Sequence, residues 1–190
     1  LLELLVIVVC AVGLALLIQA FLVKPYRIPS ESMVPTLDTG QRVLVDRVSL
    51  NFGEPHPGQV VVFNPPAGAD ADSCGVARPN DESCPTGTAK RSDTTFIKRI
   101  VAGPGDHVKV IAGRAYVNGA LQPEPFIRPD SSCEICNLPR EITIPPGDFF
   151  MMGDNRGQSA DSREWGPVPA KWIIGEAFFT YWPPNRVGPL

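Results

Sequence analysis

Hydrophobic positions are distributed very unevenly along this chain. Residues 1–23 read LLELLVIVVCAVGLALLIQAFLV, with Glu3 as the sole charge and Gln19 as the other strongly polar group. As a helix this run extends about 35 Å, against ~30 Å of bilayer hydrocarbon. A cleaved secretory leader has a shorter apolar stretch of roughly 7–15 residues and a small-residue cut site. Here the run ends in Lys24-Pro25-Tyr26-Arg27, two charges around an interfacial aromatic. A buried core helix would carry a polar stripe, which this run lacks. The pattern predicts a transmembrane anchor over 1–23. The sequence does not begin with Met, so a further N-terminal part is expected, and the positive-inside rule lacks one flank.

Beyond the anchor the period changes. Short apolar or alternating runs at 42–48, 59–63, 94–101, 107–111, 114–117, 141–144, 149–152 and 173–182 read as strands. Ala112-Gly113 and Asn118-Gly119 supply turn signals between and after two of them. No long 3.6-residue apolar period follows residue 23. Many short strands joined by Gly and Pro turns predict an all-β, barrel- or sandwich-like domain over 24–190. Residues 66–93 hold almost no large apolar side chain and are expected to be an exposed insertion.

Composition refines this picture in two places. Gly 17 and Pro 21 of 190 residues fall short of the ~25–30% that marks low-complexity disorder. Lys+Arg 17 against Asp+Glu 20, a formal charge of −3, carries no nucleic-acid footprint. Cysteine usage says more. Cys10 lies in the apolar run, whereas Cys74, Cys84, Cys133 and Cys136 lie in loops rich in Asp, Ser, Pro and Asn. Four loop cysteines beside a membrane anchor suggest disulfides and an oxidising compartment. Three pairings are available. Cys74–Cys84 with Cys133–Cys136 is favoured, because each pair closes a local loop flanked by turn residues. A zinc site from all four is the rival, but C-x9-C does not match a zinc knuckle. A redox-active Cys133-Glu134-Ile135-Cys136 lacks the surrounding βαβ pattern. The domain is therefore expected on the extracytoplasmic side.

Candidate chemistry lies in three separated segments. Just past the anchor, Arg27-Ile28-Pro29-Ser30-Glu31-Ser32-Met33-Val34-Pro35-Thr36-Leu37 alternates two serines between two prolines. A loop serine is ordinarily a cap or a solvated group, so a nucleophile needs a base. His56 and His107 are the two histidines, and neither has a supporting pattern for a Ser-His-Asp triad. Thr95-Phe96-Ile97-Lys98-Arg99-Ile100-Val101 offers another base. It alternates as a strand, with Phe96, Lys98 and Ile100 on one face and Ile97, Arg99 and Val101 on the other. An edge strand would let both cations reach water. A desolvated Lys98 would instead lose pKa and could take a proton from a serine hydroxyl, which arginine cannot do. In the third segment Ser159, Asp161 and Arg163 alternate, so an extended stretch would put an Asp–Arg brace and a serine on one face.

These residues together resemble the type I signal peptidases, membrane-bound serine proteases that remove signal peptides from exported proteins. The matching motifs are Pro29-Ser30-Glu31-Ser32-Met33-Val34-Pro35-Thr36-Leu37, Phe96-Ile97-Lys98-Arg99-Ile100-Val101-Ala102-Gly103-Pro104-Gly105-Asp106, and Gly153-Asp154-Asn155-Arg156 through Ser159-Ala160-Asp161-Ser162-Arg163. With the anchor they span nearly the whole chain in order. The resemblance implies a Ser/Lys dyad, with Ser32 as nucleophile and Lys98 as general base. Ser30 would face the oxyanion beside the Ser32 N–H. Ser159 would orient the Lys98 amine, and Asp161 and Arg163 would support it. Ile28, Pro29, Met33, Leu37, Phe96 and Ile97 would line pockets for small residues, as in Ala-x-Ala cut sites. The substrate would lie extended along a sheet edge. Partners would be the signal peptides of exported preproteins and the lipid bilayer, with no metal or cofactor and no nucleic acid. Some relatives carry two anchors, and a second would lie before Leu1. Glu164 stands where the family often has an aromatic, and an exposed position is expected for it. Two other readings are a self-cleaving Ser/Lys protease like the SOS repressors, which would lack the anchor and paired cysteines, and an inactive membrane-anchored binding module.

Overall fold

The computed structural model describes residues 2–190, with the side chains of 3–14, 22–50 and 52–190. Helix α1 (Leu2–Phe21) covers 20 residues of the apolar run. Part of its side chains lie outside the described set, and among the described residues alone no helix is long and apolar enough to cross a membrane. Those described, from Leu4 to Leu14, leave every large apolar side chain exposed to the surroundings. The expected boundary shifts slightly, because Val23 already opens strand β1 (Val23–Arg27) and pairs with Asp46 of β2 (Arg42–Asp46).

Two antiparallel sheets make up the rest. The larger runs β1-β2-β11-β3-β4-β9-β10, with β3 (Val60–Phe63), β4 (Phe96–Ala102), β9 (Asp148–Met152), β10 (Val168–Pro169) and β11 (Ile173–Trp182); β12 (Gly188–Pro189) pairs with β11. The smaller runs β7-β6-β5-β8, with β5 (His107–Ile111), β6 (Arg114–Val117), β7 (Ala120–Leu121) and β8 (Leu138–Thr143). The β5–β6 hairpin turns on Ala112 and Gly113, both with positive φ, as the turn signal predicts.

Strand β4 is interior, paired with β3 on one side and β9 on the other. Apolar side chains from neighbouring strands, a 3₁₀ turn and nearby loops cover both of its faces. Ile97 joins a cluster with Ile28, Met33, Leu37, Val43, Val45, Val60 and Val62. Ile100 joins another with Phe63, Met151 and Trp165. The edge-strand reading of the Lys98 segment is thereby replaced: its cations have no bare sheet edge from which to reach water.

The insertion over 66–93 is only partly exposed, contrary to expectation. Pro66, Ala69, Ser83 and Cys84 are buried, and the Cys84 N–H donates to the Arg163 carbonyl. A side chain on Gly166 would run into the Gly87 backbone, so glycine permits this close seating. The Cys74 and Cys84 sulfurs lie at disulfide distance (Cα–Cα 5.6 Å), as do those of Cys133 and Cys136 (5.1 Å). Cys10 is unpaired.

Candidate active site

The serine of the first segment and the lysine of the second meet although 66 residues separate them. Lys98 Nζ lies 2.6 Å from Ser32 Oγ. Ser32 sits in a single turn of 3₁₀ helix (Glu31–Met33) beneath which Met33 is fully buried. Packing Met33 and Ile28 into the core fixes that turn, while Lys98 rises toward it from β4 in register with Val61. Ser32 and Lys98 are 6% and 5% exposed. Burial pushes the Lys98 pKa down to about 8, because removing water penalises the ammonium. Asp161 and Asp154 pull it up and Arg163 pushes it down, and desolvation outweighs them. The Ser30 hydroxyl donates to Ser32 Oγ at 3.3 Å from an exposed position.

The third segment backs this pair. Asp161 and Arg163 are fully buried and share a two-armed ion pair, Nε to Oδ1 at 2.7 Å and Nη2 to Oδ2 at 2.8 Å. They do not alternate on an extended stretch. Asp161 caps helix α2 (Ser162–Trp165), accepting from the Arg163 N–H, and the turn of that helix brings the two side chains together. The other Asp161 oxygen accepts the Gly153 N–H at 3.0 Å. Gly153 itself lies so close that a Cβ there would collide with the Ser159 hydroxyl and the Ser32 carbonyl. The Ser159 hydroxyl is buried and makes no hydrogen bond, so the expected bond to the Lys98 amine is not formed in this structure.

Four participants escape sequence reasoning. Arg99, next to Lys98, makes a bidentate pair with Asp154 (2.9 and 2.7 Å) and stacks on Phe126, 3.9 Å from its centroid; Thr36, four residues past Ser32, donates its hydroxyl to the same carboxylate. Arg156 pairs with buried Glu124 and donates to the Gly153 and Gly113 carbonyls. Asn155 donates its backbone N–H to the Ser32 carbonyl and its side-chain amide to the Glu31 carbonyl, both at 3.1 Å. Their residue types sit inside the quoted motifs, but the partners come from distant segments. The Cys133–Cys136 pair also reaches the site: Arg163 Nη1 donates toward Cys136 Sγ at 3.7 Å.

A cavity of about 390 Å³ opens beside the pair, lined by Pro29, Ser30, Ser32, Thr95, Phe96, Ile97, Lys98, Gln158 and Ala160. A smaller one of about 210 Å³ adjoins it and includes Ile28. Of the expected lining, Pro29, Phe96 and Ile97 border both and Ile28 the second. Met33 and Leu37 border neither, because both are fully buried core beneath the floor. Glu164 is half-buried, not exposed, and burial beside Asp72 and Asp161 raises its carboxyl to about 7.

A buried serine–lysine contact thus borders an apolar cavity in a β-sheet domain, and the chain is similar to known proteins over nearly its whole length. Residues 1–182 match the family described as signal peptidase, peptidase S26. The chain is 38% identical over 178 residues to thylakoidal processing peptidase 1, chloroplastic, of Arabidopsis thaliana, covering 93% of this chain and 47% of that protein. It is 38% identical over 181 residues to probable signal peptidase I-1 of Synechocystis sp., covering 95% and 82%. It is 34% identical over 218 residues to signal peptidase I of Mycobacterium tuberculosis, covering 98% and 74%. A solved signal peptidase I from Enterococcus faecalis superposes with a TM-score of 0.42 at 21% identity, over 65% of this chain and 97% of that one. The chain belongs to the signal peptidase family, peptidase S26. It spans about half the length of the plant relative.

Proposed function

We propose that this protein is a serine endopeptidase that removes N-terminal signal peptides from exported preproteins, cutting after small residues. The observation that carries the reading is the 2.6 Å approach of Lys98 Nζ to Ser32 Oγ in a desolvated pocket. The neutral amine takes the hydroxyl proton as Oγ attacks the scissile carbonyl carbon. The Ser30 hydroxyl and the Ser32 N–H donate to the resulting oxyanion. The lysine ammonium then protonates the departing amine, leaving an ester on Ser32. A water, deprotonated by the same lysine, attacks that ester and releases the signal peptide. Ser159, whose buried hydroxyl is unpartnered, is the group available to orient the amine. Asp161 and Arg163 hold the backing segment, and Pro29, Phe96 and Ile97 give the groove an apolar wall suited to alanine-sized side chains.

The same reading attaches the protein to a membrane by residues 1–23, with 24–190 as the peptidase domain outside. The apolar sequence of α1, and the exposure of its described apolar side chains, support this. Eight residues separate Val23 from Ser32, at most about 30 Å of extended chain, so the groove lies near the bilayer surface where a preprotein's cut site emerges. Two loop disulfides suit an oxidising compartment. The test is cleavage of a preprotein in detergent by the wild-type chain and by Ser32→Ala. Wild type is expected to release the mature protein, and Ser32→Ala to be inactive while keeping its melting temperature. Equal activity of the two would remove the serine mechanism.

A further inference from the structure

We propose that Asn155 is a positioning residue for the oxyanion site, its side-chain amide gripping the peptide unit whose N–H faces the scissile carbonyl. The inference rests on the Ser/Lys reading above and adds a residue to it. The peptide bond between Glu31 and Ser32 contains both the Glu31 carbonyl and the Ser32 N–H. It is trans, since the cis bonds are Val34-Pro35 and Trp182-Pro183. In a planar trans peptide the C=O and N–H point in opposite directions. Asn155 Nδ2 holds the Glu31 oxygen at 3.1 Å. Fixing the carbonyl on that side turns the Ser32 N–H the other way, and Ser32 itself lines the cavity beside the pair.

The grip also affects donor strength. The Glu31 oxygen accepts from the Val34 N–H as well, at 3.1 Å. Two donors on one carbonyl polarise the peptide and make its own N–H a better donor. Asn155 can do this because it is itself held. It is 3% exposed, and its carbonyl accepts the Gln158 N–H at 3.0 Å. Its neighbours Asp154 and Arg156 are each tied into an ion pair, with Arg99 and Glu124. The Asn155 backbone N–H separately anchors the Ser32 carbonyl. That bond survives any side-chain change, so the loop keeps one tether while the amide is removed.

The experiment compares wild type, Ser32→Ala, Asn155→Ala and Asn155→Asp as full chains, on a preprotein and on a short signal-peptide substrate, with melting temperatures. Asn155→Asp conserves volume but, ionised, presents no donor to the Glu31 oxygen. Loss of one oxyanion donor costs ~10²–10³ in kcat, so a misdirected one should cost about 10–100-fold. KM should stay within about twofold, and in the neutral Asn155→Ala the pH midpoint of kcat should not move, because Asp161, Arg163 and Asp154 around Lys98 are untouched. Combining Asn155→Ala with Ser30→Ala should lose less than the product of the two single losses, since both act on one oxygen. A merely structural role would lower the melting temperature without this kcat-specific pattern. The inference is overturned if folded Asn155 variants keep kcat within about threefold of wild type, or if the loss falls in KM. A moved pH midpoint in Asn155→Ala, or loss of the fold in both variants, overturns it as well. An active Ser32→Ala would instead remove the serine reading, and this inference with it.

Discussion

Lys98 and Arg99 are adjacent on β4 and both carry a cation, yet the protein treats them in opposite ways. Arg99 is matched atom for atom: both Asp154 oxygens, the Gly58 carbonyl and the face of Phe126 receive its guanidinium. Lys98, turned to the other face, meets the Ser32 hydroxyl and, among the described residues, forms no ion pair. A paired buried cation keeps its charge and serves as a strut. An unpaired one is driven toward the neutral form, so that the cost of burying it becomes basicity available for proton transfer. Arginine suits the first role because it stays protonated, and lysine the second because it does not.

The largest test of this contrast removes the chemistry while keeping the charge. Lys98→Arg should cut preprotein cleavage by ~10⁴-fold, the upper end of a general-base contribution, in an assay that also confirms folding. In wild type, kcat should rise with pH through about 8 and level off above it, since only the neutral amine accepts the proton. A rate that instead follows His56 or His107, or an active Lys98→Arg, would undo the contrast.

Breaking the strut should act mainly on stability. Arg99→Ala leaves the Asp154 carboxylate buried and unpaired, which should cost ~3 kcal/mol by chemical denaturation. It should also raise the kcat midpoint, because an uncompensated Asp154 favours the Lys98 ammonium. An unmoved midpoint would mean the two faces of β4 are electrostatically independent. Lys98→Met should do the reverse and stabilise the inactive protein. The Lys98 pKa is lowered on folding from 10.5 to about 8. The unfolded chain therefore binds more protons between those values, and wild-type stability rises with pH across that window. The variant's advantage should be up to roughly 3 kcal/mol at pH 7 and vanish above about pH 10.5.

The smallest effect concerns a half-buried carboxyl that does not touch the pair. Glu164 is raised on folding from 4.5 to about 7. The folded state then binds more protons over that range, so its contribution to stability falls as pH rises through it. Glu164→Gln should stabilise the protein slightly against chemical denaturation at pH 8, by well under ~1 kcal/mol for a half-exposed group, and leave its stability nearly unchanged at pH 4.

The alternation of apolar residues determined most of the strands, because side chains on a pleated sheet must divide between two faces. Strand β1, carrying Pro25, and the two-residue strands β7, β10 and β12 have too little pattern to read. Helix α2 is a single turn, so Ser159, Asp161 and Arg163 looked extended when two of them in fact close a helical cap. The candidate chemistry was legible as residue types: serines between prolines, a lysine inside a strand, an Asp and Arg two apart. Those spacings are local, and local spacing is all that a chain can display before it folds.

Tertiary structure alone decided which of these groups meet. Ser32 reaches Lys98 across 66 residues, Asp154 reaches Arg99 across 55, and Asn155 reaches the Glu31 carbonyl across 124. It also moved Met33 and Leu37 from the groove into the core and brought the Cys133–Cys136 pair against Arg163. The reason is physical. A lysine's basicity depends on how much water its neighbours exclude and on where their charges sit, and both are set by packing between segments. The sequence determined that a lysine would lie on a strand; the apolar clusters packed on the two faces of β4 decided that it would be dry.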